Sequence, residues 1–112
     1  MPSAVVKELQ GALGAEVVVT EGDLLEQRRH DYWVRSHLDD VQDRPAPKPA
    51  CVVRPRSRDD VVAVVMACRK HTTPLIPFGL GSGVCGGVIG RADAVLLDMS
   101  AMNAVRDIDE HN

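Results

Sequence analysis

The chain has 112 residues, a formal net charge of −3 and 45% hydrophobic residues, which is enough for one domain with a modest core. The net negative charge gives no indication of a basic surface stripe, and one Phe, one Tyr and one Trp are too few to form a platform on which bases could stack. We therefore expect no nucleic-acid partner. No stretch approaches the roughly 18 uninterrupted apolar residues of a membrane span, and the N-terminus lacks a signal-peptide pattern, so we expect a cytoplasmic protein without a membrane span.

Residues 1–49 predict an N-terminal helical and loop-rich extension. Residues 30–49 show no clean period and include the proline-rich PAPKP, which indicates a surface excursion. The elements predicted before it are a helix that Ser3 caps and Gly14 ends, a strand at 16–20 and a mostly polar helix at 21–29.

Residues 50–112 have a more regular pattern. Ser57 and Asp60 form a capping box that begins a valine-rich helix reaching Lys70. Strands are predicted at CVVRP, LIPF and AVLLDM, and the first two with the helix between them predict a right-handed crossover and a parallel pair. The predicted fold is α/β, with helices packed on a small, mostly parallel sheet.

The segment LIPFGLGSGVCGGVIG places six glycines in sixteen positions, between two predicted strands. A Walker loop requires a lysine that does not occur after Lys70, and a dinucleotide-binding GxGxxG requires a helix that has no room before AVLLDM. Two interpretations remain. Successive backbone amides form an anion-binding concavity, with Arg91 as the only nearby cation, or the glycines are a mobile connection that binds nothing.

Several linked signatures together resemble the FAD-binding domain of the PCMH type, found in FAD-linked oxidases of the vanillyl-alcohol oxidase superfamily. They are VVRPRS, the valine-rich helix, P-x-G-x-G-[ST] and L-D-[ML]-S-x-M-N, and they cover residues 50–109. The motif SGVCGG is most similar to sequences of the branch that contains alkyldihydroxyacetonephosphate synthase and the glycolate and D-lactate dehydrogenases that use FAD. The resemblance implies that residues 50–112 are the N-terminal part of such a domain, its first subdomain, truncated at residue 112.

The resemblance also implies the cofactor and its contacts. In such proteins the matching loop wraps the FAD pyrophosphate, mainly through backbone amides. The implied cofactor-binding residues are Pro77, Phe78, Gly79, Leu80, Gly81, Ser82 and Gly83, with Gly86 and Gly87 supporting. Some relatives attach the flavin covalently to a histidine in this loop, and since this loop has none, we expect non-covalent FAD here.

The same resemblance implies that the full-length protein is a flavin-dependent oxidoreductase acting on a small molecule, such as a 2-hydroxy acid. Relatives are several times longer, so we expect the catalytic residues beyond Asn112 and an incomplete, inactive fragment here. The alternative is a non-catalytic remnant, or a small α/β domain whose glycine loop carries no ligand.

The remaining candidates have simpler structural interpretations. We interpret His30 and its polar-aromatic neighbours as a solvated loop with Trp33 packed onto the domain, and Asp98 as an acceptor for backbone amides near Ser100. The three cysteines form no CxxC pair, which predicts reduced thiols and no metal site.

Overall fold

The computed structural model describes residues 3–112 and contains the predicted helices and strands with one additional α-helix. The addition is a helix at Val34–Val41, inside the segment predicted to be a surface excursion. The helices are α1 (Ala4–Leu13), α2 (Asp23–Gln27), α3 (Val34–Val41) and α4 (Arg58–Lys70), and the strands are β1 (Val18–Val19), β2 (Cys51–Val53), β3 (Leu75–Phe78) and β4 (Val95–Asp98), followed by a 3₁₀ turn at Met99–Ala101.

The four strands form one sheet in the order β1, β2, β4, β3. β1 is antiparallel to β2, whereas β2, β4 and β3 run parallel, which confirms the predicted small and mostly parallel sheet. The predicted direct pairing of β2 with β3 is wrong, because β4 lies between them. The physical reason is visible in β3, where Pro77 has no amide to donate and is therefore suited to an edge strand. β4 is buried along its whole length and takes the centre.

Alternate residues of the sheet face two hydrophobic clusters, as the two-residue period of a strand requires. On one face, Val53 and Val95 contact residues of α1 and α4 such as Leu9 and Val64. On the other face, Leu25 of α2 packs with three sheet residues, which are Val52, Phe78 and Leu96. The helices thus leave the carboxyl ends of the parallel strands free for the loop that follows β3.

The longest helix within residues 3–112 is α4, with 13 residues. Among the described residues, none of the helices combines the length and apolar character needed to cross a membrane.

Candidate functional site

The glycine loop, residues 79–90, begins at the carboxyl edge of the parallel strands, where β3 ends, and the chain then returns to the amino end of β4. No helix forms between residues 79 and 94, as the spacing predicted. Ligands of parallel α/β sheets commonly bind at this edge, since loops there can shape a crevice without disturbing the sheet. The loop is therefore placed where a binding site is expected.

A cavity of about 500 Å³ lies against the glycine loop. Among the nine residues predicted to bind the cofactor, six line this cavity, whereas Phe78 is buried beneath the loop and Pro77 and Gly86 lie outside the lining. The lining residues are Asp31, Gly79, Leu80, Gly81, Ser82, Gly83, Val84, Cys85, Gly87 and Val88.

Backbone amides of the loop are available to a ligand. Among the turn and loop hydrogen bonds within residues 3–112, none has a donor amide between Gly79 and Gly87. The Gly83 carbonyl, by contrast, accepts a hydrogen bond of 2.9 Å from the Tyr32 amide. A run of unpaired amides beside a cavity is suited to an anion, because each N–H is a fixed positive end of a dipole.

The glycines have two different physical roles. Gly81 and Gly86 have positive φ angles of 66° and 75°, and a Cβ would collide with the Phe78 ring at Gly81 and would lie 2.7 Å from Trp33 at Gly86. These two are required by the packing of the protein itself. Gly79 and Gly87 line the cavity, and a Cβ on either would meet no atom within 4 Å. Only the second pair leaves space that a ligand can use.

Asp31, in the N-terminal half of the chain, bonds to the glycine loop at Val88, and it was not identified from the sequence as a site residue. Its side chain is only 3% exposed, with Oδ1 accepting from the Trp33 amide at 3.0 Å and Oδ2 accepting from the Val88 amide at 3.4 Å. The Asp31 amide in turn donates to the Val88 carbonyl at 3.0 Å. Trp33 packs against Gly86, so its predicted packing onto the domain is confirmed.

The cation near the loop is Arg28, not Arg91 as the sequence suggested. Arg91 is exposed and forms an ion pair with its neighbour Asp93 at 2.8 Å. The Arg28 guanidinium lies 5.0 Å from the centre of the Phe78 ring, and its Nε donates to Asp98 Oδ2 at 3.0 Å. Arg28 lines a second cavity of about 200 Å³ that reaches Leu80 and Gly81. Sequence spacing gave no signal of this arrangement, since Arg28 and Asp98 are 70 residues apart.

Asp98 Oδ1 accepts a hydrogen bond of 2.9 Å from the Ser100 amide, which confirms its interpretation as a backbone acceptor. Asp98 is completely buried at the end of the central strand. The ion pair of buried Asp98 with half-buried Arg28 lies against Phe78, whose ring in turn lies against Gly81.

The three cysteines differ strongly in their surroundings. Burial, together with the neighbouring Cys68, raises the pKa of the Cys51 thiol to about 12, and burial also raises the pKa of Cys68. Both therefore stay protonated and unreactive at neutral pH. Cys85 is exposed and lines the cavity of the glycine loop.

Comparison with known proteins gives a consistent result. A family described as "FAD binding domain" matches residues 49–112. The chain is 33% identical over 64 residues to glycolate oxidase subunit GlcD of Bacillus subtilis and 29% identical over 65 residues to D-lactate dehydrogenase of Anaerostipes hadrus. These matches cover 57% and 58% of this chain and 14% of each relative, so the chain spans a small part of their length.

A solved structure of alkyldihydroxyacetonephosphate synthase superposes on 96% of this chain with a TM-score of 0.81 at 22% identity, and the match covers 21% of that structure. The superposition shows a shared fold. It includes the segment before residue 49 as well as the region that the family match covers.

Proposed function

Because the chain belongs to the family of FAD-binding domains of flavin-dependent oxidoreductases, we propose that its glycine loop binds the FAD pyrophosphate through main-chain amides. The family assignment confirms the resemblance drawn from the sequence. The observation that carries the proposal is that residues 79–83 line a cavity of about 500 Å³, and that their amides donate in none of the turn and loop hydrogen bonds among the described residues.

The residues present fit a diphosphate held by backbone rather than by side-chain charge. No Lys or Arg is among the residues that line the cavity, and Ser82 adds a hydroxyl donor. The one ionisable carboxylate in the lining, Asp31, is engaged with the amides of Trp33 and Val88, which offsets its charge. Arg28 lies in the neighbouring cavity, where its charge is balanced by Asp98.

The bound flavin would be held without a covalent bond to the loop. Residues 79–90 include no histidine or tyrosine through which the flavin ring could be attached. Cys85 is the one nucleophilic thiol of this loop, and it lines the cavity in which we place the diphosphate rather than the ring. A bound flavin would supply the hydride-accepting chemistry, and the protein would supply its binding and orientation. This chain's own contribution is to fix the diphosphate, and with it the position of the rest of the cofactor.

For the full-length protein we propose the oxidation of a small 2-hydroxy acid. The support is that relatives named as a glycolate oxidase subunit and as D-lactate dehydrogenase match 57% and 58% of this chain. Residues that contact the substrate are expected outside these 112 residues, so the chain alone is expected to be inactive. Contacts to the adenine and to the flavin ring are expected there too, so the chain alone is expected to bind FAD weakly.

The test is a valine at Gly79, which lines the cavity and where an added Cβ would meet no atom within 4 Å outside its chain neighbours. We expect Gly79→Val to weaken FAD binding at least about tenfold, equal to about 1.4 kcal/mol, in a fluorescence titration of the 112-residue chain. Inorganic pyrophosphate should compete with FAD for the wild-type chain. Gly81→Val is a poorer test, since it disrupts the packing of Phe78.

The matched control is Gly11→Val, because Gly11 also has no atom within 4 Å of an added Cβ but lies in α1, remote from the cavity. It should bind FAD as the wild type does. Equal FAD affinity in wild type and Gly79→Val would refute the loop as the diphosphate site, and the unliganded glycine loop would then be the better description.

A further inference from the structure

His30, His37 and Asp40 form a cluster that the FAD site does not use. His37 and Asp40 are three residues apart on α3 and so share one face of the helix, while His30 belongs to the segment before it. One ring nitrogen from each histidine and one Asp40 oxygen all lie within 4.8 Å of one another. Three potential metal ligands thus converge from two separate pieces of the chain.

The orientation of His30 is the one that metal-binding histidines adopt. Its Nδ1 lies 2.6 Å from the Asp31 carbonyl, which can only accept, so Nδ1 carries a proton and donates it. This leaves Nε2 directed at Asp40 Oδ2, also at 2.6 Å. A histidine that binds a metal almost always donates its other ring N–H to a carbonyl or carboxylate, which fixes the tautomer and the ring orientation.

The Asp31 carbonyl that orients His30 belongs to a residue fixed by its own hydrogen bonds. The Asp31 amide donates to the Val88 carbonyl at 3.0 Å, and the Asp31 carboxylate accepts from two further amides. His30 itself pairs with Ile89 of the glycine loop in an isolated antiparallel bridge. The backbone of residues 30 and 31, which carries the His30 ring and the carbonyl that its Nδ1 contacts, is therefore paired with the glycine loop.

His37 supplies an accessible second nitrogen. Its ring lies edge-on to His30, with centroids 5.1 Å apart at an angle of 80°, and stacks on Tyr32 at 6.0 Å. Among the described residues, its ring nitrogens make no hydrogen bond. Both imidazoles line the cavity of about 200 Å³, in which Arg28 is already paired with Asp98.

We propose that His30, His37 and Asp40 bind one divalent transition-metal ion of the zinc class, with water completing the coordination. Two imidazoles and one carboxylate match the donor preference of such ions, whereas calcium and magnesium prefer oxygen ligands throughout. The sequence predicted no metal site on the ground that the cysteines form no CxxC pair, and the histidines and Asp40 follow no familiar ligand spacing that would have indicated one. The competing description is a simple ion pair in which a proton on His30 Nε2 occupies the position of the metal.

A bound ion would fasten α3 to the segment that holds the glycine loop, since His30 pairs with Ile89 and Asp31 with Val88. Binding to the folded state alone raises thermal stability in proportion to the logarithm of the ion concentration. The expected role is therefore structural, and it does not depend on whether the loop binds FAD.

The test is a titration of the 112-residue chain, free of flavin, with Co²⁺ and with Zn²⁺. We expect one equivalent of Co²⁺ to develop visible d–d absorption, Zn²⁺ to displace it, and Zn²⁺ to raise Tm. His37→Ala and Asp40→Asn should each weaken binding about tenfold or more. His111→Ala and Asp39→Asn are matched controls, one histidine near the C-terminus and one aspartate adjacent on α3, and both should bind as the wild type does.

The variants should fold, because His37 and Asp40 are both exposed and Asp40→Asn keeps an acceptor for His30. Far-UV circular dichroism checks this point. Absence of saturable Co²⁺ binding, or equal titrations for wild type, His37→Ala and Asp40→Asn, would overturn the proposal and leave the ion pair. Because these assays contain no FAD, either result is independent of the Gly79→Val test.

Discussion

Asp98 is the most deeply buried charged side chain near the glycine loop, and its charge is retained by its partners. Burial by itself would raise the pKa of Asp98, but hydrogen bonds from Ser100 and Arg28, together with the Arg28 charge, lower the pKa below its ordinary value of 3.8. A carboxylate whose pKa is lower in the folded state stabilises the protein above the unfolded pKa. That contribution is lost as the pH falls below about 4 and passes through the folded pKa.

We therefore predict that Asp98→Asn lowers the free energy of unfolding at pH 7 by about 1.5–3 kcal/mol, the range for hydrogen bonds to charged groups. Its stability should fall less steeply than that of the wild type below about pH 4. Urea unfolding across this pH range measures both effects. Asp93→Asn is the control, since its ion pair with Arg91 is exposed and should contribute little. Parallel pH profiles for wild type and Asp98→Asn would contradict the prediction.

At the scale of elements, the N-terminus of α4 is capped by Ser57, as the sequence predicted. The Asp60 amide donates to Ser57 Oγ at 3.2 Å, and the Asp60 carboxylate accepts from the Arg56 amide at 2.9 Å. Ser3 occupies the same N-cap position of α1, as predicted, but its side chain makes no capping hydrogen bond. The two serines therefore differ in a way that the sequence alone did not reveal.

We predict that Ser57→Ala destabilises the protein by about 1 kcal/mol, because an amide of the first turn of α4 loses its acceptor. Ser3→Ala should leave stability nearly unchanged. Urea unfolding followed by circular dichroism compares the two variants directly. A loss of stability at Ser3 equal to that at Ser57 would show that the hydrogen bond is not the source of the effect.

The sequence predicted elements with strong local patterns and missed what depends on distant contacts. α4, β3 and β4 were found because capping, periodicity and apolar runs act over a few residues. α3 was missed although Val34, Leu38 and Val41 follow helical spacing, because the polar and aromatic residues before it and the proline-rich stretch after it gave residues 30–49 as a whole no clean period. These three side chains are exposed, so burial did not mark the helix either.

In the candidate site, too, the part with a local sequence pattern was predicted and the part that depends on distant contacts was missed. Its glycine loop was predicted from local composition and the family resemblance, and six of the nine named residues line the cavity. Asp31, Trp33 and Arg28, which support the loop, lie about fifty residues away along the chain and have no local signature. Strand order also depends on long-range pairing, although Pro77 is a local sign that β3 occupies an edge.

At the scale of the whole molecule, the two halves of the chain share one core. α1 contributes Val5, Val6 and Leu9, each at most 3% exposed, to the cluster that also contains β2 and α4 residues. β1 pairs with β2, and Glu8 of α1 bonds to His71 at 2.6 Å and to Lys70 at 3.0 Å. Strand pairing and core contacts therefore cross the predicted boundary after residue 49.

This sharing predicts that residues 50–112 do not fold without the preceding segment. Fully burying a Val or Leu side chain contributes about 1.5–3 kcal/mol, and α1 alone buries three, against a typical total stability of about 5–15 kcal/mol. We expect a chain of residues 50–112 to lack a cooperative thermal transition and dispersed amide resonances. Removing residues 103–112 instead, all of them exposed, should change Tm little. A cooperatively folded 50–112 fragment would show that the FAD-binding segment is an independent unit, and that α1 and β1 are accessory to its core.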